Sequence, residues 1–133
     1  MTSPAAMVVG ATGMVGTRLV EHLIANEWSV VGLCRQPRAD SNGIRYLSLD
    51  LRNIDECDEK LGGIHSISHV FYAARAKHGE GSTEPVEENL AMLQNVVEVV
   101  SSSSSSLQHV HLVHGAKYYG SHLGRYKTPA KED

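Results

Sequence analysis

The sequence has little cysteine and no long hydrophobic run. Its two cysteines, Cys34 and Cys57, do not form a Cys-x-x-Cys pair, so we expect a reduced, cytoplasmic protein rather than a disulfide framework. The apolar runs, such as 7–9, are far shorter than the ~20 residues of a membrane-spanning helix. The first nine residues carry no Lys or Arg ahead of an apolar core, unlike a secretory signal. We therefore expect a soluble protein with no membrane partner.

An excess of positive charge is also lacking. The 133 residues contain 12 Lys and Arg against 15 Asp and Glu, a formal net charge of -3. This balance argues against the basic surface that grips nucleic-acid phosphates, so no nucleic-acid partner is expected. Aromatic residues are few beside twelve glycines, which favours a fold of aliphatic strands and tight turns. The length fits one modest domain.

Short β-branched runs alternate with amphipathic segments along the chain. This alternation predicts βαβ units and hence an α/β fold with a parallel sheet. Right-handed crossovers among five strands give the order 3-2-1-4-5 of a Rossmann-type doubly wound sheet. The predicted strands are 6–9, 29–34, 44–49, 69–73 and 109–113, and the predicted helices are 14–26, a short helix after Asn53, and one that starts at Thr83.

The last predicted helix is followed by a run of serines. Its apolar residues are spaced 4, 3, 4, 3, which predicts one buried face. Serine hydroxyls compete for backbone hydrogen bonds, so we expect residues 101–106 to form a loop. The residues of the predicted buried face are Val86, Leu90, Leu93, Val97 and Val100.

A glycine-rich segment lies between the first strand and the first helix. Gly10, Gly13 and Gly16 form a Gly-x-x-Gly-x-x-Gly pattern at the point where a dinucleotide pyrophosphate would meet a helix N-terminus. Gly10 would permit the tight turn, Gly13 would let phosphates approach the backbone, and Gly16 would let the helix pack on the sheet. The alternative is a glycine-rich turn without a ligand.

The end of the second strand distinguishes the two nicotinamide dinucleotides. An NAD site wants Asp or Glu there to accept from the ribose hydroxyls, whereas this chain has Arg35 and Arg38 and no acid. Guanidinium groups bind phosphate oxygens in a fork, so the sequence predicts NADP(H) as cofactor. The alternative is two solvated arginines in a surface loop.

Asp50 and Leu51 follow the third strand. An Asp followed by an aliphatic residue at this place commonly meets the adenine edge. Asp50 could instead cap the next turn, and both interpretations stay open. Ala73 and Ala74 end the fourth strand with the small side chains expected beneath a bound cofactor.

Together these motifs resemble the extended short-chain dehydrogenase/reductase superfamily over nearly the whole chain. Most extended members have a serine pair after the fifth strand and a lysine four residues after a tyrosine. Here His114-Gly115 replaces the serines and Lys117 lies in the loop, as is typical of the enone-reducing group. The segments similar to progesterone 5β-reductase and iridoid synthase-like enzymes are CRQPR at 34–38, HVFY at 69–72, Asn95-Val96 and HVHLVHGAKYYG at 109–120.

The resemblance implies roles for individual residues. Lys117 would be the catalytic lysine, and the family's catalytic tyrosine belongs to a following helix that this sequence does not contain. No tyrosine here has a lysine four residues later. In the cofactor site, Thr12, Gly13 and Met14 would hold the pyrophosphate, Arg35 and Gln36 the 2′-phosphate, Asp50 and Leu51 the adenine, Ala74 and Arg75 the nicotinamide ribose, and Val113 would contribute backbone.

The resemblance also implies an overall organisation and an activity. We expect a dinucleotide-binding domain over 1–114 and a loop or tail over 115–133 that carries Lys117. The implied activity is NADPH-dependent reduction of a small enone or carbonyl substrate, with this chain as the N-terminal, cofactor-binding half. Such a half would expose apolar surface and tend to self-associate. The alternative is a non-catalytic NADP-binding module or redox sensor, which needs the fingerprint but no tyrosine.

Histidines and cysteines offer other kinds of site. Strand alternation puts His109 and His111 on one face and His114 on the opposite parity, with no Cys or carboxylate beside them. A zinc site needs three or four converging ligands, so we predict no metal. Cys34 and Cys57 have no catalytic pattern nearby, which favours inert thiols over nucleophiles.

Overall fold

A computed structural model of the chain describes residues 3–76 and 85–114. The elements in chain order are β1 (Ala5–Val9), α1 (Met14–Ala25), β2 (Ser29–Cys34), β3 (Ile44–Ser48), α2 (Ile54–Leu61), β4 (His69–Tyr72), α3 (Val86–Ser103) and β5 (His109–Leu112). The sheet order is β3-β2-β1-β4-β5, and all adjacent strands are parallel. The predicted fold class and strand order are therefore confirmed.

The central strand β1 explains why its sequence is apolar without alternation. It pairs with β2 on one side and β4 on the other, and residues 6–9 are all fully buried. Met7 and Val9 join the core formed with α2 and α3, whereas Ala6 and Val8 join the core formed with α1. The helices therefore cover both faces of the sheet.

Helix α2 begins at the capping residue that the sequence predicts. The Asn53 side chain accepts hydrogen bonds from the backbone N–H groups of Asp55 at 3.1 Å and Glu56 at 3.2 Å. The Glu56 carboxylate lies 3.4 Å from Lys60, one turn further along the helix. The cap thus fixes the start of α2 directly after the loop that carries Asp50.

The buried face of α3 differs from the predicted one. Val86 and Leu90 are 67% and 51% exposed, so of the predicted row only Val100 is buried. Both the predicted row and its neighbour on the helix are apolar, and spacing alone does not show which one meets the sheet. The residues of α3 that are buried in the core are Met92, Val96, Val99 and Val100.

The serine run is helical at its start, so the prediction of a loop over 101–106 is wrong for residues 101–103. The Ser102 hydroxyl donates to the Glu98 carbonyl at 3.0 Å, which satisfies it within the helix. Ser104 caps the C-terminus and is 2% exposed. Its hydroxyl donates to Ile64 O at 3.0 Å and accepts from Ile67 N at 3.3 Å, joining the helix end to the segment before β4.

Within the described residues, no helix is long and apolar enough to cross a lipid bilayer. Two predictions fall outside the described residues: the start of the last helix at Thr83, and the segment 115–133 with Lys117. The described chain ends just past β5, where Leu112 and Val113 are 46% and 38% exposed.

Candidate functional site

A cleft opens at the carboxyl ends of β1 to β4. The chain runs from β1 outward to β2 and β3 and then returns to β4 on the other side of β1, so the cleft lies at the topological switch point of the sheet. Its walls come from the ends of these strands, the loops that follow them, and the facing turns of α2 and α3. The lining residues are Gly10, Thr12, Gly13, Leu33, Cys34, Arg35, Ser48, Leu49, Asp50, Leu51, Arg52, Glu56, Lys60, Ala73, Ala74, Arg75, Ala76, Glu88 and Met92.

The turn after β1 requires glycine at its first position. Gly10 has a φ of +83°, and its N–H donates to Leu33 O at 3.1 Å. A Cβ there would lie 2.9 Å from the backbone of Ala73 and Ala74. Gly10 therefore lets the turn pass between the ends of β2 and β4.

The other two glycines of the fingerprint differ in what surrounds them. A Cβ at Gly16 would lie 2.0 Å from Gly10 O, so α1 packs against the turn only because Gly16 has no side chain. Gly13 has an ordinary extended backbone, with φ of -77° and ψ of 178°. A Cβ at Gly13 would have Gly10 O, at 3.5 Å, as its nearest contact. No contact with residues 3–76 or 85–114 requires glycine at position 13, and Gly13 lines the cleft.

The N-terminus of α1 opens beside Gly13, which is its N-cap residue. No side chain in the described part of the chain caps this end of the helix, and its first turn contains no acidic residue. The first intrahelical bond runs from Thr17 N to Gly13 O at 2.9 Å. Backbone donors and the positive end of the helix dipole make such a terminus favourable for a phosphate group.

The two arginines after β2 lie in different places. Arg35 lines the cleft, and its backbone carbonyl accepts from the Ser48 hydroxyl at 2.7 Å, which ties the end of β2 to β3. The Arg38 guanidinium lies 4.9 Å from the centre of the Tyr46 ring, and Arg38 does not line the cleft. Of the two, only Arg35 lines the cleft.

The loop after β3 carries a network of charged groups. Arg52 donates to both carboxylate oxygens of Asp50, with its Nε 2.9 Å from Oδ1 and its Nη2 2.9 Å from Oδ2. Its Nη1 donates to Glu88 of α3 at 3.0 Å. The guanidinium and the backbone N–H of Arg52 hold the pKa of Asp50 below its usual value, so this carboxylate is ionised at neutral pH.

Two asparagines of α3 hold the loops on either side of the cleft. The Asn89 side-chain oxygen accepts from Ala76 N at 2.8 Å and so fixes the loop after β4. The Asn95 side-chain nitrogen donates to Leu51 O at 2.8 Å and fixes the loop after β3. Because both loops bond to one helix, their separation across the cleft is set by α3.

Three buried titratable groups, Cys57, Tyr72 and Cys34, have raised pKa values. Burial raises the pKa of the Cys57 thiol to about 11, and the nearby Glu56 and Asp50 add to the rise. Burial also raises the pKa of Tyr72 to about 12. Cys34 likewise has a raised pKa because of burial, although Arg38 partly opposes it. Neither thiol has the lowered pKa of a nucleophilic cysteine.

The histidines of β4 and β5 form an aromatic row on the sheet. His109 and His111 share a face, as alternation predicts, with ring centroids 6.1 Å apart, and His69 stacks near Phe71 at 6.3 Å. Among residues 3–76 and 85–114, no three His, Cys, Asp or Glu side chains are arranged to hold a metal ion.

Comparison with known proteins identifies the family. Residues 6–133 match the model of the NAD dependent epimerase/dehydratase family. The chain belongs to this family. It is 32% identical to the (S)-8-oxocitronellyl enol synthase ISY2 of Nepeta cataria, over 96% of this chain and 36% of that protein. It is 33% identical to the 3-oxo-Delta(4,5)-steroid 5-beta-reductase of Arabidopsis thaliana, over 86% of this chain and 31% of that protein. The chain thus spans about a third of the length of these relatives.

Solved structures agree on the fold. Gre2 of Candida albicans in complex with NADPH matches 82% of this chain and 36% of its own, with a TM-score of 0.67 and 18% identity. MoeE5 in complex with UDP-glucuronic acid and NAD matches 86% of this chain and 38% of its own, with a TM-score of 0.65 and 25% identity. A nicotinamide dinucleotide is accordingly the cofactor expected of this family.

Most of the residues predicted from the family fingerprint come together in the cleft. Those that line it are Gly10, Thr12, Gly13, Arg35, Asp50, Leu51, Ala74 and Arg75. Those that do not line it are Met14 and Gly16 in the first turn of α1, Gln36 and Arg38 after β2, and Val113 after β5. Val113 N donates to Tyr72 O at 2.9 Å and so extends the pairing of β5 with β4.

The cleft also contains residues that sequence reasoning missed. Arg52 and Glu88 line it together with Lys60, whose amino group donates to Ser48 O. Asn89, which fixes one of its loops, was also missed. No local pattern marks Arg52, because its second partner is 36 residues away. No local pattern marks Asn89 either, because its partner Ala76 is 13 residues away along the chain.

Proposed function

We propose that this chain binds NADP(H) as the cofactor-binding part of a reductase acting on a small enone or carbonyl compound. The observation that carries the proposal is the juxtaposition of Gly13 and Arg35 in one cleft at the switch point of the sheet. Among the described residues, a Cβ atom at Gly13 would meet only Gly10 O, so the space in front of this glycine is open. It lies beside the N-terminus of α1, which no described side chain caps. A cleft lined by both the N-terminal end of α1 and Arg35 can bind the pyrophosphate and the 2′-phosphate of one extended dinucleotide.

In this proposal, different residues of the cleft bind different parts of the dinucleotide. The backbone of 10–13 and the start of α1 bind the pyrophosphate, and Arg35 binds the 2′-phosphate. Asp50 accepts from the adenine amino group, and Ala74 and Arg75 lie beside the nicotinamide ribose. The bound NADPH supplies the hydride, and the protein contributes binding and orientation.

The choice of NADP(H) over NAD(H) follows from the charge at the end of β2. NAD sites place an acidic residue there to accept from both ribose hydroxyls, and Cys34 and Arg35 occupy the end of this strand. A carboxylate would repel a 2′-phosphate, whereas Arg35 attracts it.

The chemical step is proposed from the relatives and not from the cleft. The relatives in Nepeta cataria and Arabidopsis thaliana are named as an enol synthase and a steroid 5-beta-reductase. By the same resemblance Lys117 is proposed as the catalytic lysine, close to the nicotinamide ribose. With a tyrosine it would stabilise the enolate oxygen that develops as hydride reaches the β-carbon of the C=C bond.

A second function is favoured by the positions of the described tyrosines. Neither Tyr46, which packs beneath Arg38, nor Tyr72, which is buried, lines the cleft. A non-catalytic NADP-binding module or redox sensor needs the dinucleotide site and no such tyrosine. Such a module would bind NADPH without oxidising it in any longer form of the protein as well.

Titration of the purified chain with NADPH and NADH, followed by nicotinamide fluorescence, tests the binding. We expect NADPH to bind more tightly, and no binding of either would contradict the proposal. Gly13→Ala should weaken NADPH binding, whereas Arg18→Ala, which removes an exposed ion pair on α1, should not. Incubation with NADPH and a simple enone, with the absorbance of reduced nicotinamide as readout, then tests catalysis. Both proposals expect this chain to bind NADPH without oxidising it, because neither described tyrosine lines the cleft. Oxidation by a longer form that has a tyrosine helix after these residues favours the reductase, and its absence there favours the non-catalytic module.

A further inference from the structure

One arginine connects the two walls of the cleft at the end where the adenine is proposed to bind. Arg52 follows β3 and holds the Asp50 carboxylate at both oxygens, at 2.9 Å each. Its backbone N–H donates to Oδ1 of the same carboxylate at 3.0 Å. A carboxylate held at three points by one neighbouring residue cannot rotate freely.

The same guanidinium is fixed from its other side. Its remaining terminal nitrogen donates to Glu88 at 3.0 Å, and Glu88 lies in the first turn of α3. Asn95 of the same helix bonds the carbonyl of Leu51, between Asp50 and Arg52. The loop that carries Asp50 is therefore anchored to α3 twice, once through its backbone and once through Arg52.

This anchoring leaves Asp50 available to a ligand. Its side chain is 45% exposed and lines the cleft, whereas the contacts with Arg52 come from within its own loop. An ionised carboxylate is an acceptor only, with more lone pairs than Arg52 occupies. What Arg52 determines is the direction in which the remaining lone pairs point.

We propose that Arg52 is a positioning residue for selection of the nucleobase. It fixes the Asp50 carboxylate to accept from the exocyclic amino group of adenine and prevents it from turning toward another donor. This inference rests on the proposed function, because it assumes that an adenine dinucleotide occupies the cleft.

Adenine and hypoxanthine differ at the edge that such a carboxylate would read. Adenine has an amino group at C6, which donates, whereas hypoxanthine has a carbonyl oxygen there and an N–H at the adjacent N1. A fixed carboxylate meets the hypoxanthine oxygen as acceptor against acceptor, which is unfavourable. A carboxylate that is free to rotate can accept from the hypoxanthine N1–H instead. Removal of Arg52 should therefore reduce the preference for adenine over hypoxanthine.

The test is the ratio of dissociation constants for NADP⁺ and its hypoxanthine analogue, which share the nicotinamide and all phosphates. The chain should favour the adenine form by roughly tenfold, the size expected of one charge-assisted hydrogen bond. Arg52→Ala should reduce the ratio to within about threefold. Arg52→Lys should reduce it as well, since an ammonium keeps the charge but cannot hold both carboxylate oxygens. Arg18→Ala, which removes an exposed ion pair with Glu21, should leave the ratio unchanged.

The outcomes separate this inference from the proposed function. A chain that binds neither dinucleotide contradicts the proposed function. A chain that binds both equally, or an Arg52→Ala or Arg52→Lys variant that keeps the full ratio, overturns the role of Arg52 and leaves the dinucleotide site intact. A general loss of structure would weaken both ligands together without changing their ratio, so the ratio reports positioning and not stability.

Discussion

A Cβ atom at Gly16 would lie 2.0 Å from the carbonyl oxygen of Gly10. Two glycines of one fingerprint therefore touch each other, and the turn and the helix can approach only because the second lacks a side chain. Gly13, between them, has no such contact with any described residue. The same motif thus contains glycines needed for folding and one that we assign to ligand binding.

Alanine substitutions should separate these two requirements. Gly16→Ala should lower the free energy of unfolding by ~1 to 3 kcal/mol, because a backbone oxygen cannot yield as a flexible side chain does. Gly13→Ala should change it by less than ~1 kcal/mol, since the slightly poorer N-cap is offset by a less flexible unfolded chain. Urea unfolding monitored by circular dichroism measures both.

Gly13→Ala, which should have the smaller effect on stability, should have a clear effect on dinucleotide affinity. Gly13→Ala should weaken NADPH binding although the fold is retained, because the new methyl group occupies space beside the helix N-terminus. An unchanged affinity in folded Gly13→Ala would show that this position does not meet the pyrophosphate.

The two arginines after β2 should differ in their effect on cofactor preference. Arg35 lines the cleft, so Arg35→Ala should remove roughly ten- to hundredfold of the preference for NADPH over NADH. Arg38 packs over the ring of Tyr46 and does not line the cleft, so Arg38→Ala should change the preference by less than about threefold. Titration of both variants with both dinucleotides measures this, and equal losses would mean that Arg38 moves to the phosphate.

The sequence was sufficient for the sheet because the information was local. Strands such as β1 and β2 are short apolar runs, and Asn53 marks the start of α2. Right-handed crossovers then give the strand order. The burial of α3 could not be read in this way. Val86 and Met92 are equally suitable for a core, and the choice between their faces depends on how the helix lies on the sheet.

Some residues of the candidate site could likewise be predicted from the local sequence, and others could not. The glycine turn and Arg35 are marked by their position after a strand, so the sequence alone places them at one edge of the sheet. Arg52 and Glu88 meet over 36 residues of separation, and no periodicity marks such a pair. Asn89 is a polar residue on a helix, and its bond to Ala76 appears only once the chain is folded.

Lys117 carries the prediction that concerns catalysis. It lies outside the described residues, and its role is proposed from the family resemblance. In a form of the protein that turns over, Lys117→Ala should lower turnover far more than it weakens NADPH binding, because a nearby ammonium lowers the pKa of a catalytic tyrosine. Steady-state rates with an enone, together with the dissociation constant for NADPH, distinguish the two effects. Turnover within about twofold of the parent would show that Lys117 is an ordinary loop lysine.

Alkaline pH should destabilise the protein chiefly through Cys57 and Tyr72, with a smaller part from Cys34, whose pKa is also raised by burial. Burial raises the pKa of Cys57 from 9.0 to about 11 and that of Tyr72 from 10.0 to about 12. Between the unfolded and folded values, the unfolded chain releases a proton that the folded protein retains, so rising pH favours unfolding. The stability that these neutral groups contribute is present below pH 9 and is lost first through Cys57, from about 9 to 11. The loss through Tyr72 follows from about 10 to 12.

Substitution of Cys57 or Tyr72 should make the loss of stability with rising alkaline pH less steep. Thermal midpoints measured from pH 7 to 11 should fall less steeply above pH 9 for Cys57→Ala, because the group that titrates first is gone. Val96→Ala also creates a cavity in the same core without a titrating group, so it should be less stable at every pH with the parental slope. Tyr72→Phe should flatten the slope above pH 10 without loss of stability at neutral pH, since the Tyr72 hydroxyl has no hydrogen-bond partner among the described residues. Parallel slopes for Cys57→Ala and Val96→Ala would show that the thiol does not control alkaline unfolding.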